Sequence, residues 1–396
     1  MLNFELSEEQ KIVKKSIADM VKKFDGRREE FYEMIMKEKK FPEEVWQEMG
    51  KVGLLGAMLP EEYGGTDMGL LTMVLATEEM AAHGFGNEMV LLNTLNACCI
   101  LRNGNEEQKK FFLPKIAAGE IKCALGVTEP DAGSNAFRIS SLARKDGDVY
   151  KVTGQKVFIT AADIADYMLL LVRTTSAEDA KKQGMPKAFG MSVMMADMKA
   201  KGLEMKPIPT VGIPGATQFL LFMDDFEVPA ENLIGQENMG GMVMFNSLNP
   251  ERIIAAAACL GMVENMLNKS VQYSKERNVF GQPIGAHQAI QHPLAEIKIE
   301  QEAVRLMTYK AAWAFDQGWP PGQVGIWANM AKYLAAELAI KCADRAIQTH
   351  GGYGFSEEYG IIHYWTTARL MRTAPISKEL ILNFIGEHVL NMPRSY

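Results

Sequence analysis

A chain of 396 residues, 47% hydrophobic and 23% charged, is too long for one ordinary core and has the profile of a globular protein of two or three domains. Its net charge of -7 argues against nucleic acid as the main partner and offers no cationic surface to an anionic membrane. No stretch of about 18 apolar residues is free of charge, so no membrane span is expected. The five cysteines (Cys98, Cys99, Cys123, Cys259, Cys342) lie in apolar runs without CxxC spacing. They read as buried free thiols in a reducing compartment. The six histidines are scattered, and no metal site is expected. The first residues carry neither a signal-peptide core nor an Arg/Ser-rich presequence, so a cytoplasmic location is the expectation, although a matured organellar protein would look the same.

In chain order, residues 1–120 read as an N-terminal α-helical domain. Ser7 with Gln10 forms a capping box ahead of Ile12, Val13 and Ile17. Residues 59–65 form a loop, and helical runs follow over 70–82 and 89–101. Within the second run Asn93, Thr94 and Asn96 are polar among Leu, Ala and Cys; exposed helix turns and a pocket floor fit equally well. From 121 to 236 the pattern becomes short β-prone pieces with turn punctuation. Lys145-Asp146-Gly147-Asp148 is a hairpin turn, and further strands are expected near 149–152, 157–160, 167–172, 189–194, 218–222 and 226–229. This is a compact antiparallel β domain, not a βαβ unit. From 237 to 396 helices return over 252–274, 289–313, 324–349 and 377–390, broken by Gly281-Gln282-Pro283, by 318–322 and by Gly351-Gly352. Four long helices with short loops make a C-terminal four-helix bundle. The class is α+β, mainly α.

The stretch from Cys123 to Asn135 carries the first chemical signal. An apolar run ends at Thr128-Glu129-Pro130; Pro130 stops the strand and Gly133 allows a tight turn. Such a strand end presents N–H groups and hydroxyls at an apolar edge, which suits a flat, partly polar ligand. An ordinary strand-to-loop turn is the alternative.

This stretch resembles the first signature of the acyl-CoA dehydrogenase family. Two downstream segments extend the resemblance over essentially the whole chain: Arg277-Asn278-Val279-Phe280-Gly281 with Gln288, and Gln348-Thr349-His350-Gly351-Gly352-Tyr353-Gly354-Phe355. The resemblance implies FAD as cofactor, an acyl-CoA substrate, electron-transfer flavoprotein as acceptor and a homotetramer built as a dimer of dimers. It further implies that Val127, Thr128, Gly133 and Ser134 contact the flavin, its pyrophosphate or the acyl-CoA. Phe158 would pack on the flavin and Thr160 place a hydroxyl near its reactive nitrogen, as a flat ring and an acceptor nitrogen require. Arg277, Phe280 and Gln288 would reach a neighbouring subunit's FAD, arginine suiting pyrophosphate and phenylalanine adenine. An exposed helix end with a C-cap glycine is the alternative for that segment. Gln348, Gly352 and Ser377 are further cofactor positions by the same resemblance, and Arg252 joins Ser134, Asn93 and Thr94 on the substrate side. Gly351-Gly352 is no Rossmann fingerprint, because no strand–Gly–helix unit surrounds it.

One departure stands out. Most family members carry a catalytic glutamate in a Tyr-Glu-Gly-Thr segment, and the corresponding position here is Pro375, within Thr373-Ala374-Pro375-Ile376-Ser377. A minority, resembling isovaleryl-CoA and long-chain acyl-CoA dehydrogenases, carry the base elsewhere, at a position matched by Glu251 in Leu248-Asn249-Pro250-Glu251-Arg252. Pro250 predicts a helix start there, so the helix dipole and Arg252 would keep Glu251 ionised while burial would raise its pKa. A helix-terminal glutamate paired with an arginine is the alternative, and Glu379 is the next candidate base. Proline also lacks the N–H that binds the thioester carbonyl in the family. Unless Ile376 or a shifted loop supplies a donor, the loss costs on the order of 3 kcal/mol in the transition state. The expected activity is α,β-dehydrogenation of an acyl-CoA to a 2-enoyl-CoA. Rivals are a related reductase or non-oxidative lyase on an unusual acyl-CoA, and a flavin-binding partner subunit without activity.

Overall fold

A computed structural model describes residues 5–394. The chain opens with helices α1 (Glu8–Lys22), α2 (Arg28–Tyr32), α3 (Glu43–Lys51), α4 (Gly69–Ala82), α5 (Glu88–Asn103) and α6 (Glu106–Ala117). The Ser7–Gln10 capping box is made reciprocally, Gln10 N–H to Ser7 Oγ at 3.2 Å and Ser7 N–H to Gln10 Oε1 at 2.9 Å. α4 and α5 are apolar almost all round, as helices inside a core must be. No side chain of its own caps α4. Asp316, far along the chain, does so instead, accepting from the N–H groups of Leu70 (2.7 Å) and Leu71 (2.9 Å).

Strands follow: β1 (Cys123–Gly126), β2 (Leu142–Asp146), β3 (Val149–Thr160), β4 (Tyr167–Arg173), then a short helix α7 (Ala177–Lys182), β5 (Met191–Asp197), β6 (Leu203–Ile208), β7 (Gln218–Pro229) and β8 (Leu233–Ile234). They form one sheet in the order β6-β7-β3-β2-β4-β5-β8, with β1 beside β4. The expected hairpin joins β2 to β3 around Gly147, whose φ of 61° is the left-handed value such a turn needs. Pairing is antiparallel except that β1 and the first residue of β2, Leu142, pair parallel to β4. β4 and β5 are buried on both faces, which explains their unbroken apolar runs. Leu169, Leu171, Val193 and Met195 pack toward the helices. Met168, Leu170, Val172 and Met194 fill a second core with Val152, Leu221 and Phe226.

The C-terminal region contains α8 (Gly240–Glu276), a two-stranded ribbon of β9 (Asn278–Val279) and β10 (Gln282–Pro283), α9 (Gln288–Asp316), α10 (Pro321–His350), α11 (Ile361–Leu370) and α12 (Lys378–His388). The prediction of four long helices needs correction. Three are long, and the fourth, expected over 377–390, is the shorter α12. α8 also begins well before Pro250, which lies inside the helix. Gly240 and Gly241 are poor helix formers, yet α8 starts there, hard against the sheet: a Cβ on Gly240 would sit 2.7 Å from the Ser192 backbone. All five cysteines are buried free thiols. Among the described residues no helix is long and apolar enough to cross a membrane.

Candidate active site

The loop after β1 is built around one buried carboxylate. Glu129 accepts from Ser140 N–H (2.6 Å), Ser140 Oγ (3.1 Å) and Ser141 N–H (3.1 Å), and it pairs with Lys156 at 2.8 Å. Lys156 is fully buried in β3 and also donates to the carbonyls of Val127 (3.1 Å) and Leu171 (2.6 Å). Burial pushes the Lys156 pKa down to about 8 against the pull of Glu129. Burial also works to raise Glu129, yet Lys156 and the serine donors hold it below the usual range. Arg173 fastens the far side of the loop, donating to Ile139 O and Phe137 O at 2.7 Å each. Nothing in the sequence reading singled out this pair. Its signal was a lysine set between strand residues without a charged neighbour in sequence.

The result is a rigid platform. Val127 and Thr128 are half-buried at its inner edge, where Val157 N–H donates to Thr128 O at 2.9 Å. Gly133 and Ser134 are exposed on its rim, and a Cβ on Gly133 would meet nothing within 4 Å. Immediately beside them β3 carries a bulge between Lys156 and Ile159. Phe158 sits in it with φ of +57° and is 59% exposed. A bulky residue there stores strain, and strained positions that persist cluster at ligand sites. Thr160 follows, half-buried, its Oγ1 accepting from Gln218 Nε2 at 2.9 Å.

Phe137 of this loop packs against Phe245 of α8, ring centroids 5.5 Å apart. Glu251 lies six residues further on, about 9 Å along the helix. The expected helix start at Glu251 is therefore wrong, and no helix dipole acts there: Glu251 is mid-helix and buried, 6% exposed. Burial raises its pKa to about 7, opposed by the charges of Arg252 and Lys332. The predicted helix-terminal pairing with Arg252 is absent, since no ion pair or hydrogen bond holds the Glu251 carboxyl among the described residues. Arg252 is itself largely buried, which lowers its pKa while Glu251 raises it.

Lys332, from α10, brings the Pro375 segment to the same place, because its Nζ donates to Met371 O (2.6 Å) and Ile376 O (2.5 Å). One lysine thus both acts on Glu251 and holds the turn that contains Pro375. The Ile376 N–H makes no hydrogen bond among the described residues. Glu379 is exposed in the first turn of α12, and Ser377 caps that helix, its Oγ accepting from Leu380 N–H at 3.3 Å. Ser377 therefore has a local structural duty beside any cofactor contact.

Asn93 and Thr94 are neither exposed turns nor a polar floor; both are 2% exposed. Asn93 donates to Ile121 O and accepts from Cys123 N–H, each at 2.8 Å, stapling α5 to β1. Thr94 returns its hydroxyl to Val90 O at 2.6 Å. With these polar atoms matched to backbone, neither residue offers a group to a substrate.

A separate cleft of about 810 Å³ lies at the end of α10. It is lined by Arg277, Phe280, Gln348, Gly352 and His287 among others. Gln288 is exposed at the first turn of α9, next to His287 but not on the lining. Phe280 is 93% exposed, and a Cβ on Gly351 or Gly352 would meet nothing within 4 Å. His287 Nε2 is buried there without a partner. From Lys332 to His350 is 18 residues, roughly 27 Å of helix, so this cleft is remote from Glu251.

Models of the acyl-CoA dehydrogenase N-terminal, middle and C-terminal domains match residues 7–120, 124–226 and 238–390. The chain belongs to the acyl-CoA dehydrogenase family. It is 41% identical to acyl-CoA dehydrogenase FadE12 of Mycobacterium tuberculosis over 391 residues, 98% of each chain. The solved butyryl-CoA dehydrogenase of Megasphaera elsdenii superposes with a TM-score of 0.90 at 30% identity, over 98% of this chain and 100% of that one. A chain solved with the electron transferring flavoprotein of Acidaminococcus fermentans gives 0.91 at 32%, with the same coverage.

The protein is accordingly a flavoenzyme of the oxidoreductase class, and its cofactor is FAD. Its residues fit that group: the platform has an exposed aromatic and open loop glycine, and the cleft has a guanidinium, a free aromatic face and an orphaned imidazole nitrogen.

Proposed function

We propose that the protein removes the α-proton and the β-hydride of an acyl-CoA thioester, giving a 2-enoyl-CoA, with Glu251 as the base. The observation that carries this reading is a buried carboxyl, free of hydrogen bonds among the described residues and under the charge of the lysine that holds the Met371–Ile376 turn. When bound, FAD supplies the acceptor for the hydride. Everything else falls to the chain: Phe158 and the 127–134 loop orient the reacting carbons, burial keeps water from Glu251, and the carboxylate holds the abstracted proton. Ile376 replaces the proline as backbone donor to the thioester carbonyl, since its N–H is unengaged one residue away. The direct test is mass spectrometry of products after anaerobic incubation with butyryl-, isovaleryl- and palmitoyl-CoA. A thioester lacking two hydrogens supports the reading; only unchanged thioester, or a product cleaved without oxidation, refutes it.

A base with a pKa raised to about 7 is protonated below that pH and ionised above it. Flavin reduction by substrate should therefore rise about tenfold between pH 6 and pH 8 and level off beyond. Stopped-flow absorbance across that range checks it, and a profile flat from pH 5 upward would show that the acting base is an ordinary carboxylate.

The remote cleft serves the FAD of a second protomer in a homotetramer arranged as a dimer of dimers. Its support is the roughly 27 Å between the cleft and Glu251, too far for one protomer to gather both around a single reacting ring. Dissociation should release flavin; analytical ultracentrifugation detecting flavin absorbance would refute this if monomers kept stoichiometric FAD. Electrons then pass to electron-transfer flavoprotein, a step supported by the Acidaminococcus relative. Loss of steady-state turnover when that acceptor is omitted tests the partner.

A further inference from the structure

Lys332 is 1% exposed in the middle of α10. A cation so buried normally has a carboxylate in contact. Among the described residues no ion pair is formed by Lys332. Its Nζ instead bridges the carbonyls of Met371 and Ile376, the two ends of the turn that holds Pro375. One ammonium thereby closes that turn against α10. The third N–H of the ammonium has no acceptor among the described residues.

The opposite side of Lys332 faces α8. Its charge acts on Glu251, and Arg252 and Cys259 of the same helix act on Lys332 in return. From α10 Glu337 acts as well, one turn along, though it is engaged by Arg372 at 2.7 and 2.8 Å and by Lys378 at 3.5 Å. Burial lowers the Lys332 pKa to about 8, so it stays a cation at neutral pH. Arg252 is the other cation acting on Glu251, and it sits on the same helix. Among the described residues Lys332 links a charge acting on Glu251 to the position of the segment that carries the Ile376 N–H.

We propose that Lys332 is a positioning residue that latches the Met371–Ile376 turn to α10 and so fixes the segment that carries the Ile376 N–H. The proposal rests on Glu251 being the base. Without Lys332, two carbonyls lose their donor and the turn loosens. The carboxylate also loses a neighbouring cation, so its ionisation moves to higher pH.

The test compares the FAD-loaded Lys332→Met and Lys332→Arg variants with wild type and Glu251→Gln. Two readouts are taken: the pH profile of anaerobic flavin reduction by whichever of butyryl-, isovaleryl- or palmitoyl-CoA bleaches fastest, and amide hydrogen exchange of residues 371–376. For Lys332→Met the profile should move to higher pH, since a cation acting on the carboxylate is gone. Exchange in 371–376 should quicken while that of 351–354 stays as in wild type. Lys332→Arg, which keeps charge and donors, should restore most of both. Should Lys332→Met not accumulate as a flavoprotein, Lys332→Gln, uncharged but still a donor, carries the same pH comparison. A variant whose profile differs only in scale, with unchanged exchange in 371–376, overturns the proposal. If instead Glu251→Gln reduces flavin at wild-type speed, the base assignment has failed and exchange alone judges the latch.

Discussion

Glu251→Gln is expected to lose substrate-driven flavin reduction by about 10²–10⁴-fold, the usual contribution of a positioned general base. The amide is nearly the same size and stays within a site formed by α8 and α10, so FAD and acyl-CoA should still bind. Removing the carboxyl also removes a group that burial disfavours as an anion. Above pH 7 the variant should therefore be no less stable than wild type, and well below pH 4.5, where the group is uncharged in both folded and unfolded chains, the two should melt alike. The sign follows from the direction of the shift: a raised pKa stabilises the folded state only while the proton is on. Rapid-mixing absorbance at pH 8 reads the rate and thermal melts read the stability. A variant that bleaches at near wild-type speed moves the proton to another group, with exposed Glu379 next in line.

Lys156→Met should unfold the flavin platform from within. The methionine fills most of the lysine's volume, so packing changes little, but Glu129 is left buried without its cation. Breaking a buried pair on one side typically costs about 3–5 kcal/mol. Three carbonyl or carboxylate acceptors lose a donor together: Glu129, Val127 O and Leu171 O. Purified variant should contain little FAD and show a lower urea midpoint. The double variant Lys156→Met, Glu129→Leu should recover much of the loss, because an apolar pair of similar volume avoids the stranded charge. If the single variant keeps full flavin and an unchanged midpoint, the pair does not organise this loop.

What was legible in the sequence is local or periodic. The Ser7–Gln10 box, the Gly147 hairpin and the apolar runs of β4 and β5 are each specified by neighbours in the chain, and each is present. Phe158 and Gly133, singled out by the family resemblance, are both exposed. Long-range polar pairings were not legible. Asp316 caps a helix 245 residues away, and Glu129, in the loop after β1, meets a lysine on β3. Neither leaves a periodic trace. The Gly240-Gly241 start of α8 has a related cause: a low helix propensity is overridden by close packing on the sheet. Asn93 shows the same limit from the other side. A polar residue in an apolar helix signals a buried partner but does not say whether that partner is a substrate or the backbone of β1.

The central claim is that an acyl-CoA thioester delivers electrons to this protein's flavin through a site based on Glu251. Anaerobic titration of the purified flavoprotein with butyryl-, isovaleryl- and palmitoyl-CoA, followed by flavin absorbance, tests it most directly. At least one thioester should bleach the flavin of the wild-type protein at pH 8 and leave that of Glu251→Gln oxidised on the same timescale. Tight FAD that none of the three thioesters reduces, or equal bleaching in both proteins, would contradict it.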